Sequence, residues 1–273
     1  MFERRSFLRD CIATTVCLLI LFPFLWMIAT ALKSPGELAS ANPTLIPLEA
    51  TMQNFIDVFT RGNFGTYFLN SVIVSAGTTI VAVVVACLSG YAFARFTLPG
   101  GKFALLFIVA SQMFPSLLLL MPLYDLLQKI GLLNTHLGLV LVYTTFALPF
   151  SVWMLRNYFI TIPPELDEAA LIDGCTRLQA LFKVVIPSAK PGIVAVAVFT
   201  IILSWDDFIY ANTFISSDSQ RTLTVALQGL IGEFGTNWGL LMAGAVVAAL
   251  PIMVLFGFFE KQLTSMVGGG VKG

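Results

Sequence analysis

Charge is scarce in this chain. Only 11% of its 273 residues are Asp, Glu, Lys or Arg, against 58% hydrophobic, and the mean hydropathy is +0.90. A water-soluble domain carries about a quarter charged residues, because its surface must be solvated, so an ordinary soluble fold is excluded. Histidine is rarer still. His136 is the only one and is read as a loop or interface residue. With no nucleophile and base to pair, no catalytic residue is assigned, and the chain by itself is not read as an enzyme. The four cysteines, Cys11, Cys17, Cys87 and Cys175, are scattered, three of them inside apolar runs. They have neither metal-ligand nor disulfide-framework spacing, and no metal site is expected. Net charge is zero, which removes any global attraction for nucleic acid. A phosphate-cradling glycine loop is missing too. Gly101-Lys102 is followed by Phe103 and lacks the upstream glycine, so this chain does not hold ATP through a P-loop.

Long apolar sequence is what the chain has in quantity. Six runs approach or exceed the roughly 20 residues that cross a bilayer: 11–32, 69–94, 103–127, 138–158, 191–215 and 238–259. The first follows basic residues, as a signal peptide would. It is too long for an apolar signal core and has no small-residue cleavage site, so a retained span is expected. The third is interrupted by Pro115 and Pro122, with Asp125 near its end. That spacing predicts a bent or broken helix packed in protein, not one facing lipid. The second carries Ala82, Ala86 and Gly90 at i, i+4 and i+8, a small-residue stripe for close helix packing. The expected fold class is an all-α membrane protein of six transmembrane helices, one domain over residues 1–273.

Orientation follows from the basic residues. Of fifteen Lys and Arg, only Lys33, Arg61, Lys129 and Arg221 fall in segments on one side, and the other eleven fall on the opposite side. The basic side is cytoplasmic by the positive-inside rule, which puts both termini there. Residues 33–68 then form a long external segment, punctuated by Pro35, Pro43 and Pro47, polar enough to fold back on itself. Residues 159–190 form a cytoplasmic loop, and residues 260–273 a flexible cytoplasmic tail.

Within 159–190, Pro163 and Pro164 precede Glu165, Asp167 and Glu168. Proline near a first helical position with acids in the first turn suits the helix dipole, and Gly174 is a plausible stop. Thr176 then caps a second helix in which Leu178, Leu181, Phe182 and Val185 recur at helical spacing, ended by Pro187. Two short helices joined by a glycine turn result, with Ala169, Ala170 and Gly174 keeping one surface small. The residues alone leave two readings open: an amphipathic hairpin resting on the membrane interface, and a docking element for another protein. A second polar feature is Trp205-Asp206-Asp207-Phe208 inside the fifth run. A carboxylate in a span costs about 2.5–3.5 kcal/mol and usually faces a cavity or a partner. Here too the readings stay open: a polar lining of a translocation path, a helix-to-helix hydrogen bond, or a span that ends earlier. Adjacent residues point about 100° apart on a helix, so both acids cannot line one path equally.

Glu168-Ala169-Ala170, three residues, Gly174, nine residues, then Val184-x-Ile186-Pro187 resembles the EAA loop of binding-protein-dependent ABC importer permeases. The family pattern ends in Ile-x-Leu-Pro, so Val184 and Ile186 are conservative departures and the spacing is intact. The resemblance covers nearly the whole chain and is to the carbohydrate branch, of maltose type. Asn70-Ser71, Tyr91-Ala92-Phe93-Ala94-Arg95, Pro122-Leu123-Tyr124, Gly131-Leu132-Leu133-Asn134-Thr135 and Ile162-Pro163 carry it. It implies that the loop enters a cleft on a separate ATPase. Glu168, Ala169, Ala170, Asp173, Gly174 and Pro187 would do the coupling, with Glu168 the polar anchor and Gly174 the turn. It implies a path for a sugar (mono-, di- or oligosaccharide, or a derivative) lined by Trp205, Asp206 and Asp207, with Trp205 offering an aromatic face; Asp206 stands where Asn is usual. The ending Gly268-Gly269-Gly270-Val271-Lys272-Gly273 resembles the family's Gly-Ala-Val-Lys-Gly tail, with Gly270 where alanine is commoner. That tail reaches the interface between two ATPase subunits. The implied partners are a second homologous permease, two ATPases, an external sugar-binding protein and the lipid bilayer, with no nucleic acid. ATP and Mg would sit on the ATPases, with no cofactor on this chain, and the location would be the bacterial cytoplasmic membrane. The alternative is an autonomous secondary transporter or facilitator, which has no need of an EAA loop.

Overall fold

The computed structural model describes residues 2–40, 42, 44–61, 63–232 and 235–269. Its main helices are α1 (Phe2–Ala31), α2 (Gln53–Arg61), α3 (Phe64–Arg95), α4 (Gly101–Ala110), α5 (Leu120–Lys129), α6 (His136–Thr161), α7 (Glu165–Ile172), α8 (Lys190–Asp206), α9 (Ile209–Phe214) and α10 (Trp238–Gly269). Four stretches are long and apolar enough to cross a membrane: Asp10–Ala31, Phe64–Arg95, His136–Thr161 and Trp238–Glu260. The number is six if each of two bent helix pairs is one span. One departure from all-α is a hairpin of two-residue strands, β1 (Ile231–Gly232) and β2 (Gly235–Thr236).

The bent pairs account for the runs that proline interrupts. Gly101–Met113 and Ser116–Lys129 meet at 95°. Phe114, the residue before Pro115, is extended at φ −76°, ψ 127°, because a following proline ring crowds the helical conformation. Pro122 breaks nothing. It lies in the first turn of α5, where its missing N–H would have had no helical partner. The residues at the break are open within this chain, with Met113 86% exposed. The expected packing of this break in protein is therefore not provided by the chain's own helices.

The chain divides into two compact units. One comprises residues 1–66 and 225–251. In it the polar segment after α1 folds back on itself. Asn54, 5% exposed, donates from Nδ2 to the carbonyls of Ala31 and Lys33, both at 2.8 Å. Lys33 Nζ donates to the Thr44 carbonyl, and the Glu37 carboxylate accepts from the Thr44 hydroxyl and the Leu48 N–H. The Thr44 hydrogen bond is the main cause holding the Glu37 pKa below its ordinary value. Gly239 opens the path for Asn54, since a Cβ there would sit 2.6 Å from its Oδ1.

The other unit comprises 67–224 and 252–273. Its core gathers Ala86 and Tyr91 of α3, Leu155 and Phe159 of α6, Leu181 and Val185, and Val196 of α8. Within a bilayer such helices are held by van der Waals packing, which close approach of small residues permits. The small-residue stripe of α3 is used for close approach. Ala82 and Ala86 are fully buried, and a Cβ on Gly90 would meet the Arg156 backbone nitrogen at 3.0 Å.

Candidate functional site

The loop 159–190 is a helical hairpin whose turn is built from hydrogen bonds that the sequence supplies. Helix α7 carries Glu165, Asp167 and Glu168 in its first turn, where the positive end of the helix dipole favours negative charge. It stops at Asp173, and Gly174 takes φ +85°. The Cys175 N–H then bonds to the Ala170 carbonyl at 2.9 Å and the Gly174 N–H to that of Leu171 at 3.1 Å, a left-handed helix ending that satisfies two orphan carbonyls. No atom lies within 4 Å of where a Gly174 Cβ would stand, so backbone conformation alone calls for glycine here. Thr176 opens the second arm through a reciprocal cap with Gln179, its hydroxyl accepting from the Gln179 N–H and its own N–H donating to Gln179 Oε1.

The arm ends one residue past Pro187, at Ser188. Arg177–Ser188 continues through a wide turn at Leu181–Val185, and the 80° bend to α8 comes after Ser188. The wide turn sends the Ile186 N–H to the Leu181 carbonyl, and Ser188 Oγ bonds the Val184 carbonyl at 2.8 Å. The segment thereby absorbs a proline that a regular α-turn would not. The apolar stripe also splits. Leu181 and Val185 enter the core, while Leu178 and Phe182 are 62% and 58% exposed. Of the assigned coupling residues, Glu168, Ala169, Asp173, Gly174 and Pro187 are exposed. Ala170 is buried, because successive residues diverge by about 100° around a helix; its small side chain serves packing within this chain.

What fixes the hairpin to the bundle is a residue not assigned to coupling. Asp167, 8% exposed, accepts from Arg95 Nε at 2.7 Å and from the Tyr91 hydroxyl at 2.8 Å. Arg95 also donates from Nη2 to the Ile162 carbonyl at 2.9 Å. The end of α3 is thus joined to the start of α7 by one buried ion pair and one further hydrogen bond, and to the end of α6 by another. The signal was present in the sequence: Tyr91 and Arg95 are four apart and share a helix face. On the hairpin's second arm, the Arg177 guanidinium lies over the Phe96 ring at 5.2 Å.

The Trp205–Asp207 segment resolves differently from a continuous fifth span. Helix α8 ends at Asp206, and Asp207 is extended at φ −69°, ψ 131°. Its Oδ2 accepts from the Tyr143 hydroxyl at 2.7 Å and from the N–H groups of Tyr210 and Ala211, both at 3.1 Å. The carboxylate therefore caps the first turn of α9 and ties it to α6. Asp206 is exposed. Trp205 is 6% exposed and makes a T-shaped contact with Phe68, ring centroids 5.6 Å apart, so within this chain it is a packing residue. The Tyr210 hydroxyl continues from the capped helix to the carbonyl of Ser116 at the broken third span. There a cavity of about 500 Å³ is lined by Ser111, Gln112, Ser116, Thr145 and Phe146. None of these was singled out from the sequence, although Pro115 marks the place. In the tail, the backbone is helical through Gly269, further than the expected tail start at 260. Gly270, Val271, Lys272 and Gly273 lie outside the described residues.

Comparison with known proteins bears on this arrangement as a whole. The sulfoquinovosyl glycerol transport system permease protein SmoH of Agrobacterium fabrum is 36% identical over 254 residues, 93% of this chain and 89% of its own. The trehalose/maltose transport system permease protein MalG of Thermococcus litoralis is 31% identical over 268 residues, 96% and 95% of the two chains. The fold is similar to that in a crystal structure of a bacterial ABC transporter involved in the import of the acidic polysaccharide alginate. The TM-score is 0.83 at 19% identity, covering 95% of this chain and 96% of that one. The sequence profile of the binding-protein-dependent transport system inner membrane components matches residues 82–266, which include the hairpin, its anchors on α3 and the capped break after α8. This chain belongs to that family of multi-pass inner-membrane transport components.

Proposed function

We propose that the chain forms half of the translocation path of an ATP-driven importer for a saccharide or saccharide derivative. It works beside a second, homologous permease, two ATPase subunits and an external sugar-binding protein. ATP and Mg belong to the ATPases. Six spans place both termini in the cytoplasm, and the hairpin 159–190 sits in a cleft of one ATPase, with Glu168 and Asp173 as its polar contacts and Leu178 and Phe182 as its apolar ones. The residues 268–273 reach toward the ATPase interface. Asp206 and the cavity at Ser111–Ser116 are the polar lining of the path.

The observation that carries this reading is the hairpin itself. A rigid, ion-paired helix end supports a surface of exposed acids and exposed leucine and phenylalanine, which a self-sufficient carrier does not require. The substrate class rests on the relatives, whose names specify sulfoquinovosyl glycerol and trehalose/maltose. The test is reconstitution into proteoliposomes of this chain alone and of the chain with its three kinds of partner. Uptake of radiolabelled saccharide is expected only from the full assembly with ATP. Uptake by the chain alone would establish the autonomous transporter instead.

A further inference from the structure

Helix α4 begins beside a second cavity, of about 420 Å³, at the same end of the bundle as the hairpin. Its lining includes Lys102 and Arg156 and no carboxylate. Of the first N–H groups of α4, that of Gly101 bonds to Leu98 and that of Ala104 to Gly100. Those of Lys102 and Phe103 have no such partner among the described residues. The walls are aromatic and aliphatic: Phe93, Phe96, Leu98 and Phe103. They run onto an apolar helix face left uncovered among the described residues, since α4 has no buried residue and Phe103 and Phe107 are 79% and 77% exposed. The cavity thus joins two cations to an exposed apolar helix face.

We propose that this cavity binds the headgroup of an anionic phospholipid, its phosphate between Lys102 and Arg156 and its acyl chains along Phe103 and Phe107. Basic pockets between membrane helices hold such headgroups because the cations gain a permanent counter-charge while the chains stay in hydrocarbon. The site reaches the coupling hairpin through one side chain. Phe96 forms part of the cavity wall and carries the Arg177 guanidinium over its ring. A bound lipid would hold that ring in place and with it the hairpin's second arm. This goes beyond the importer reading and does not depend on which solute is carried.

The experiment uses the assembled transporter in nanodiscs of phosphatidylcholine containing a minority of phosphatidylglycerol, with the lipids retained after extraction counted by native mass spectrometry. A basic side chain near an anionic surface confers about a fivefold preference. Lys102→Ala with Arg156→Ala should therefore cut the phosphatidylglycerol enrichment by about 25-fold. Lys102→Arg with Arg156→Lys should restore it, which separates lost charge from lost folding. Excess inorganic phosphate should not displace the lipid; displacement would mark a site for free phosphate and overturn the lipid assignment. A photo-cross-linking residue at Phe103 gives an independent reading. Adducts of phospholipid mass support the site, whereas adducts to the second permease mean that this face is a protein interface and refute the proposal.

Discussion

Replacing Asp167 tests whether the hairpin is held by its buried ion pair. Asp167 and Arg95 are each 11% exposed at the side chain, with 2.7 Å between Oδ2 and Nε. Removing one member of a buried pair costs about 3–5 kcal/mol, mostly because the other charge is left without compensation. Arg95 keeps the Ile162 carbonyl, which places Asp167→Ala at the lower end, about 3 kcal/mol. Asp167→Asn retains volume and an acceptor for Tyr91 but loses the charge facing Arg95, a loss of about 2 kcal/mol. Helix α7 buries only Asp167 and Ala170, so the loss falls on local opening of that helix. An energy of 3 kcal/mol corresponds to roughly a hundredfold shift in that equilibrium. Hydrogen exchange on the assembled transporter reads it directly. Amides of 165–172 should lose about a hundredfold of protection in Asp167→Ala, while those of 143–155 in α6 stay as they were. Uptake per ATP hydrolysed should fall in parallel, and a double-mutant cycle with Arg95→Met should return a coupling energy near 2 kcal/mol. Unchanged protection in α7, or a coupling energy below about 0.5 kcal/mol, would refute the anchoring role.

Further outcomes are expected elsewhere in the molecule. Gly174→Ala should destabilise the hairpin by about 1–2 kcal/mol through its left-handed backbone alone, and Gly174→Asn by less. Gly192→Ala drives a Cβ to within 2.6 Å of the Tyr158 ring and should lower the melting temperature of the assembly more than Gly174→Ala does; the reverse order would contradict the packing described. Asp207→Ala removes the acceptor of three hydrogen bonds and should cost about 2–4 kcal/mol. Asp206→Ala should leave stability within about 0.5 kcal/mol and alter uptake kinetics, so equal melting curves for the two variants would count against the capping assignment. Glu37 has its pKa lowered chiefly by the Thr44 hydroxyl. The Glu37 contribution to holding Thr44 and Leu48 is therefore fully present above the ordinary value of 4.5 and is lost as pH falls through the lowered one. The protection factor of the Leu48 amide, taken against its intrinsic rate at each pH, should fall on acidification through that window and stay constant in Glu37→Gln; a Leu48 amide whose protection factor does not change would exclude the link.

Much of the site could be read from residue order because it is local. Gly174 as the turn and Thr176 as the cap depend on backbone preferences within a few residues, and those preferences hold wherever the segment sits. The acids of α7 were legible for the same reason, but which of them faces inward was not. Asp167 and Glu168 are chemically alike neighbours, and only the arrival of Arg95 and Tyr91 from 70-odd positions earlier selects Asp167 as the anchor. Trp205 and Asp207 illustrate the same limit. An apolar window counts hydropathy and has no term for a carboxylate that ends one helix and caps the next, drawing its third donor from Tyr143.

By itself, then, the sequence determined that this chain lives in a bilayer, where its turns fall, and which loop resembles a coupling element. Scarce charge, long apolar runs and conformational preference act on each segment separately, so they survive without knowledge of neighbours. Tertiary structure alone decided which polar groups are spent on holding helices together and which remain outward to act. Burial makes an unpaired charge expensive and a paired one tolerable, and pairing is set by helices that meet in space from distant parts of the chain.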